Sequence, residues 1–218
     1  MLNDAKTPAA DLRLMAITDG SLATGSDDLL NRVEYVLEGG ATAVMLREKG
    51  VDTRALYDAA CRLRDMTSRH GALLIVNDRL DIAQAAQADG VHLGWRSLPV
   101  QQARSIAGSH LLIGASTHSI EEIENAEGAD YVTFSPIFPT PSKEGLVEVV
   151  GLGGLREAVE RFPELPVVAL GGIDAGNAAS VIQAGACGVA VIRAVLRADD
   201  PADAAEELLR QTQSPNME

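Results

Sequence analysis

Aromatic side chains make up only 3% of the 218 residues: one Trp, three Tyr and three Phe. A sizeable core must therefore be built from Ala, Val, Leu and Ile, and a 46% hydrophobic content supplies enough of them. Cysteine is scarcer still. Cys61 and Cys187 share no metal-ligand or redox spacing, so they read as reduced, mostly buried thiols rather than a disulfide scaffold. Positive charge is in deficit, with 18 Lys and Arg against 31 Asp and Glu and a formal charge of −13. That balance argues against non-specific nucleic-acid binding and against anionic membranes. It admits an anionic small molecule, provided basic residues gather locally. No run approaches the ~18 apolar residues of a membrane span, and "MLNDAKTPAADL" lacks the apolar region of a signal peptide. The expectation is a soluble cytoplasmic protein with no nucleic-acid or membrane partner.

What is present is a regular alternation. Short apolar runs occur at 13–18 (RLMAIT), 43–47 (AVMLR), 73–78 (LLIVND), 90–94 (GVHLG), 111–116 (LLIGAS), 131–136 (YVTFSP), 166–172 (PVVALGG) and 188–194 (GVAVIRA). Continuous rather than alternating runs indicate strands buried on both faces, as in a parallel sheet. The segments between them are amphipathic helices. "SDDLLNRVEYVLEGG" opens on a Ser/Asp cap, sets Leu29, Leu30, Val33, Val36 and Leu37 on one face, and ends on Gly39-Gly40. "VDTRALYDAACRLRDMTSRHG" has an Asp or Thr cap and a terminal Gly71; further helices are expected near 79–88, 98–107, 119–127, 152–162, 175–184 and 201–212. Pro99 and Pro201 fall where a first helical turn tolerates proline. "EGGATAVML", "AQADGVHLG", "AEGADYVTF" and "AGACGVAVI" echo one another, each closing a helix with small residues before opening a strand. Eight strands and eight following helices without a linker predict an α/β protein, a single (β/α)8 barrel over 12–212 with flexible tails at 1–11 and 213–218. An open doubly wound sheet is the alternative.

In such a barrel the site lies where the strands end, so polar residues at the exits carry the argument. In this acidic chain Arg47, Lys49 and Lys143, joined by Arg79, Arg96 and Arg193, converge on one mouth and make a local anion site. Gly171-Gly172 after strand seven and a short helix after strand eight suit a phosphate group, although a structural turn also explains a Gly pair. Asn77 and Asp78 at the tip of strand three suit Mg²⁺ bridged to substrate phosphates; Asp78 is equally suited to capping the next helix, with Asp81 in its first turn. In "SPIFPTPSKEG", Pro136, Pro139 and Pro141 stiffen the loop and fix where Thr140, Ser142 and Lys143 point. His92 reads as an interior hydrogen-bonded residue, while His118 suits an acid/base role, a capping role or a surface one. His70 and His110 read as solvated turn residues. Trp95, the only tryptophan, and Arg96 stand at the exit of strand four, as part of the site or as a lid on the barrel mouth.

"ITD", "MLREK", "IVNDRLDIA", "ADGVHLG", "GASTHS", "ADYVTFSPIFPTPSK", "ALGGI" and "AGACGVAVI" occur in the order seen in thiamine phosphate synthases and the related thiazole tautomerases, and the sequence resembles that superfamily over roughly 13–196. The resemblance implies a transferase of thiamine biosynthesis. Hydroxymethylpyrimidine diphosphate would lose diphosphate with Mg²⁺ help, and the nitrogen of a thiazole phosphate would capture the pyrimidine carbocation. Carried over by motif, Arg47, Lys49, Asn77 and Lys143 hold diphosphate, Asp78 is a Mg²⁺ ligand, and Ser116 lies near the pyrimidine. Thr140, Ser142 and Gly172 contact the thiazole phosphate.

Three positions depart from the family pattern. Met45 stands where "QLREK" has Gln, removing a hydrogen bond to substrate. Ser97 stands in "HLGWRS" where "HLGQED" has a metal-binding Asp, which weakens the Mg²⁺ site; Arg96 can restore part of the charge neutralisation. Arg193 replaces the Ser of "VSAI" and strengthens a phosphate pocket. Two other functions fit parts of the pattern. A thiazole tautomerase-like isomerase needs only proton transfer, with His118 in the matching position, and a non-catalytic phosphate-ligand binding barrel needs no turnover. The retained set Arg47, Lys49, Asn77, Asp78 and Lys143 favours the synthase. A homo-oligomer is compatible with the sequence and not required by it.

Overall fold

The computed structural model describes residues 11–140 and 148–213. Eight parallel strands close on themselves in chain order: β1 (Leu14–Ile17), β2 (Ala43–Leu46), β3 (Leu73–Asn77), β4 (Gly90–Leu93), β5 (Leu112–Thr117), β6 (Tyr131–Phe134), β7 (Val167–Leu170) and β8 (Gly188–Val191). Pairing of β8 with β1, Val189 opposite Leu14, completes the ring. The connecting helices are α1 (Ser26–Glu38), α2 (Thr53–His70), α3 (Leu80–Ala85), α4 (Val100–Ala107), α5 (Ile120–Asn125), α6 (Gly151–Arg161), α7 (Ala178–Gln183) and α8 (Arg193–Leu196), with α9 (Pro201–Thr212) behind. This is the (β/α)8 barrel, and the open sheet is excluded by the β1–β8 pair. Every strand lies inside its expected run except that β5 extends one residue further, to Thr117. The expected tails fall almost wholly on residues 1–10 and 214–218, outside the described residues.

The period-2 pleat divides the apolar residues into two bodies. Leu14, Ala16, Val44, Leu46, Leu74, Val76, Val91, Ile113, Val132 and Val189 point outward and pack under the helices in one large cluster. Met15, Ile17, Ala43, Met45, Ile75, Tyr131, Val168 and Ala190 point inward and fill the barrel in a second, smaller cluster. On α1 the inner face is Leu29, Leu30, Val33, Val36 and Leu37, as the spacing predicts. Asp52 caps α2 by accepting from the Ala55 amide, and Gly71 ends it in the left-handed conformation at φ 66°.

Several local expectations are corrected. The α1 cap residue is Gly25, and Asp28 reaches back to the Thr24 amide at 2.9 Å. Pro99 precedes α4 as its cap residue, whereas Pro201 does start α9. His70 is exposed, as expected, but lies in no turn: it ends α2 with Nε2 3.1 Å from Glu34 Oε1. The same carboxylate takes Arg69, and together the two partners lower the Glu34 pKa against the opposing effect of its burial.

The sequence echo acquires a physical meaning at the N-terminal end of the barrel. Thr42, Asp89, Asp130 and Cys187 hold the same position, two residues before the matched valines. Each donates its amide to the preceding odd strand, at Leu14 O, Leu74 O, Ile113 O and Val167 O. In three of the four the side chain also accepts that strand residue's amide: Leu14 N to Thr42 Oγ1 at 3.1 Å, Leu74 N to Asp89 Oδ2 at 2.7 Å and Ile113 N to Asp130 Oδ2 at 2.6 Å. An arginine from the helix that precedes the odd strand closes each carboxylate site, Arg64 of α2 on Asp89 and Arg104 of α4 on Asp130, both at 2.5 Å. The repeat is thus a clamp that ties each even strand to its predecessor and gives an amide near the start of β1, β3 and β5 a side-chain partner. In the fourth unit the thiol of Cys187 cannot match an oxygen acceptor, and burial pushes its pKa up to about 12, keeping it protonated. Asp89→Ala should lower stability by about 1–3 kcal/mol through the orphaned Leu74 amide. Urea unfolding measures this, and an unchanged midpoint would show that the clamp carries no load.

Candidate active site

Every strand delivers its C-terminal end to one rim, and local bonds decide which side chains are displayed there. At the exit of β1, Thr18 is buried and its Oγ1 accepts the Arg47 amide at 2.9 Å, while its own amide donates to Met45 O. Glu48 Oε2 accepts the Gly20 amide at 2.8 Å. The Arg47-Glu48-Lys49 segment is therefore stitched to β1 on both sides, with Lys49 exposed and Arg47 half-buried. The Arg47 charge reaches the interior His92. Burial first, and that positive charge second, push the His92 pKa down to about 3. The imidazole is consequently neutral at physiological pH.

Asn77 ends β3 opposite His92 in register. Asp78 follows with φ 66°, in the left-handed region that non-glycine residues seldom occupy, and its amide donates to His92 O at 2.8 Å. Its carboxylate does not cap α3, whose cap residue is Arg79 with no side-chain cap bond. This corrects the capping reading and leaves an exposed carboxylate at the rim. Arg79 is also corrected, since its guanidinium grips Asp81 at 2.6 and 2.8 Å and Thr53 Oγ1 at 3.2 Å. That pairing lowers the Asp81 pKa and raises that of Arg79. Arg79 belongs to the α3 entrance rather than to the anion site.

Inside the mouth, His92 is buried between Tyr131, Ser116 and Thr133. The interior reading of His92 holds, and the partners on β6 are what sequence reasoning missed. Period-2 alternation along β6 could have found them, because it puts Tyr131 and Thr133 on one face. Gly114 stands between His92 and Tyr131 in the registers of β4–β5 and β5–β6. A Cβ there would overlap the Tyr131 ring and lie 2.5 Å from His92 Nδ1. The two rings meet because β5 has no side chain between them.

After β4 the chain turns at Gly94 to Ser97, with Ser97 Oγ accepting the Gly94 amide at 2.8 Å. Trp95 is 81% exposed, and the Arg96 guanidinium lies 4.4 Å above its ring. His118 is drawn into the start of α5: Glu122 Oε2 accepts its amide at 2.6 Å and lies 3.0 Å from Nδ1. Ser119 caps the same helix through the Glu122 amide. The cap of this helix is thus Ser119 rather than His118, and the Glu122 carboxylate on Nδ1 orients the imidazole.

Past β6, a cis Ser135–Pro136 bond leads into the loop that packs against the exit of β7. The Ile137 and Phe138 amides donate to Leu170 O and Gly171 O at 3.0 Å. Gly171 and Gly172 have φ 103° and 66°, and a Cβ on either would come within 2.8 Å of this loop. The packing bears out the structural reading of the Gly pair, because only glycines let the two loops lie this close. Thr140 is half-buried at the loop's end, and Ser142 and Lys143 lie outside the described residues. Arg193 is exposed as the first residue of α8. Met45, fully buried, packs in the interior cluster with Ile17 and Ile75 in register on either side.

Among the described residues no group of three or more His, Cys, Asp or Glu could hold a metal ion. None of their helices is long and apolar enough to cross a membrane. The barrel mouth thus gathers an Arg-Glu-Lys segment tied to the chain after β1, the exposed Asp78 carboxylate and a close-packed Gly171-Gly172 turn.

Known proteins give the arrangement its family. The chain is 46% identical over 200 residues to a thiamine-phosphate synthase of Chloroflexus aurantiacus, covering 91% of both proteins. It is equally identical to one of Gloeobacter violaceus, of which it spans 57%. Among solved structures, the thiamine phosphate pyrophosphorylase of Pyrococcus furiosus superposes with a TM-score of 0.86 at 42% identity, covering 94% of this chain and 97% of that one. Residues 14–195 match the family described as thiamine monophosphate synthase, and the chain belongs to that family.

Proposed function

We propose that this chain is a thiamine-phosphate synthase, a transferase that joins hydroxymethylpyrimidine diphosphate to a thiazole phosphate and releases diphosphate. The observation that carries the reading is the stitched β2 exit of Arg47, Glu48 and Lys49, in a chain 46% identical over 200 residues to a relative of that name. In the reaction the bond between the pyrimidine methylene carbon and a diphosphate oxygen breaks, and both electrons leave with diphosphate. The thiazole nitrogen lone pair then forms the new C–N bond. Negative charge gathers on the departing oxygens, so fixed cations at the rim lower the barrier. Arg47 and Lys49 take that role, with Lys143 assigned to it by motif and Asn77 donating its amide. Ser116 faces the pyrimidine. Thr140, Ser142, the Gly171-Gly172 pair and Arg193 receive the thiazole phosphate. His118, oriented by Glu122, belongs to the rim of the same site.

Asp78 offers one hard oxygen ligand, and Ser97 is engaged with the Gly94 amide. This donor set fits a Mg²⁺ ion that arrives on the diphosphate oxygens rather than one held in a protein cage. Bound there, the ion would neutralise diphosphate charge. Arg96, laid on the Trp95 indole, adds a planar donor group for phosphate oxygens from the same loop. Met45 lies on the apolar wall of the barrel interior and offers the substrate no strong hydrogen bond. The cytoplasmic setting belongs to this reading, supported by two unpaired thiols, both half-buried.

The direct test mixes the protein with both substrates and Mg²⁺ and follows thiamine phosphate by fluorescence after oxidation. Product is expected. Its absence at every Mg²⁺ concentration sinks the reading, with isomerisation of a thiazole carboxylate phosphate then marking a tautomerase and tight phosphate-ligand binding alone marking a binding barrel. Arg193→Ala should raise the KM for the thiazole phosphate while leaving the melting temperature nearly unchanged, and an unchanged KM removes Arg193 from the pocket. Asp78→Asn should raise the Mg²⁺ concentration for half-maximal rate roughly tenfold, the equivalent of ~1.4 kcal/mol. An unaltered Mg²⁺ titration would take Asp78 out of the site.

A further inference from the structure

A chain of polar side chains crosses the barrel interior from β6 to β5. The Tyr131 hydroxyl lies 3.1 Å from His92 Nδ1, and His92 Nε2 lies 3.0 Å from Ser116 Oγ and 3.3 Å from Thr133 Oγ1. The two rings stack at 5.5 Å between centroids with 29° between their planes. Tyr131 and His92 are buried, whereas Ser116 is half-buried near the C-terminal end of β5.

Proton counting gives this chain a direction. A neutral imidazole carries one N–H and one bare nitrogen. The buried Tyr131 phenol has a hydrogen that needs an acceptor, because leaving it unsatisfied costs about 1–3 kcal/mol. Its partner is Nδ1. Nδ1 is therefore the bare nitrogen and Nε2 carries the hydrogen. Nε2–H then donates to Ser116 Oγ, with Thr133 Oγ1 as the longer, second acceptor. Having accepted on its oxygen, the Ser116 hydroxyl keeps its own hydrogen for a partner other than His92.

We propose that Tyr131 and His92 are positioning residues that hold the Ser116 hydroxyl as a hydrogen-bond donor toward a lone pair of the heteroaromatic substrate, such as a pyrimidine ring nitrogen. One further observation supports it: Gly114 supplies the space in which the two rings meet, so that the phenol reaches the ring nitrogen that accepts its hydrogen. The inference rests on the synthase reading of the mouth, but its central claim concerns a tautomer that exists without substrate.

Nitrogen-15 NMR of the protein with labelled histidine, free of substrate, should show His92 as the Nε2–H tautomer. The Nδ1–H tautomer would overturn the proposal. Tyr131→Phe keeps the ring and removes the donor. It should mix the two tautomers and lower kcat by about tenfold, with KM for the thiazole phosphate unchanged. Ser116→Ala is the control. In that background Tyr131→Phe should cost little further activity, because the group it positions is gone. An undiminished cost there assigns Tyr131 a purely structural role and overturns the proposal. If the wild-type protein makes no thiamine phosphate, the synthase reading fails, while the NMR result still decides the tautomer.

Discussion

Closure of the sheet between β1 and β8 is the constraint on which the rest depends. An open parallel sheet would have two edges, and its strand ends would form a line. Once the ring closes, all eight C-terminal ends share one rim, and residues far apart in sequence face each other across a few ångströms. The clamps at the opposite end serve the same closure. Thr42, Asp89 and Asp130 each give one strand amide a partner where the helical layer offers none.

The interior is divided lengthwise. On the β1–β3 side Ile17, Met45 and Ile75 meet in register and make an apolar wall. On the β3–β6 side Asn77, His92, Ser116 and Thr133 form a polar one. The acidic surface makes the cations at the rim stand out in the field of the protein. Arg47 is held by its backbone through Thr18, so its guanidinium stays available to an anion and to the field at His92.

Much of this was legible in one dimension. The eight apolar runs, the caps at Asp52 and Gly71 and the buried face of α1 depend on residues within a turn or a pleat of each other. The basic and hydroxyl residues at the exits were legible too, because a strand's end is visible where an apolar run stops. Errors arose where two local solutions compete. Asp78 has the chemistry of a helix cap, yet the chain enters α3 through Arg79. Arg79 looks like one more cation for the mouth, until Asp81 two residues away claims it. His70 at the end of α2 meets Glu34 of α1, and nothing near it in sequence announces that partner.

The sequence by itself determined the elements, their order and the chemical character of the rim, since pleat periodicity, caps and turn glycines act over a few neighbouring residues. Only the tertiary structure decided which interior groups meet. His92 and Tyr131 are 39 residues apart, and their contact follows from the stagger of β4, β5 and β6 together with the missing side chain at Gly114. The same holds for Trp95. Its place at a strand exit was readable, but its 81% exposure and its stacking with Arg96 are set by the turn that Ser97 closes. Stagger is a property of the closed ring, and no single strand contains it.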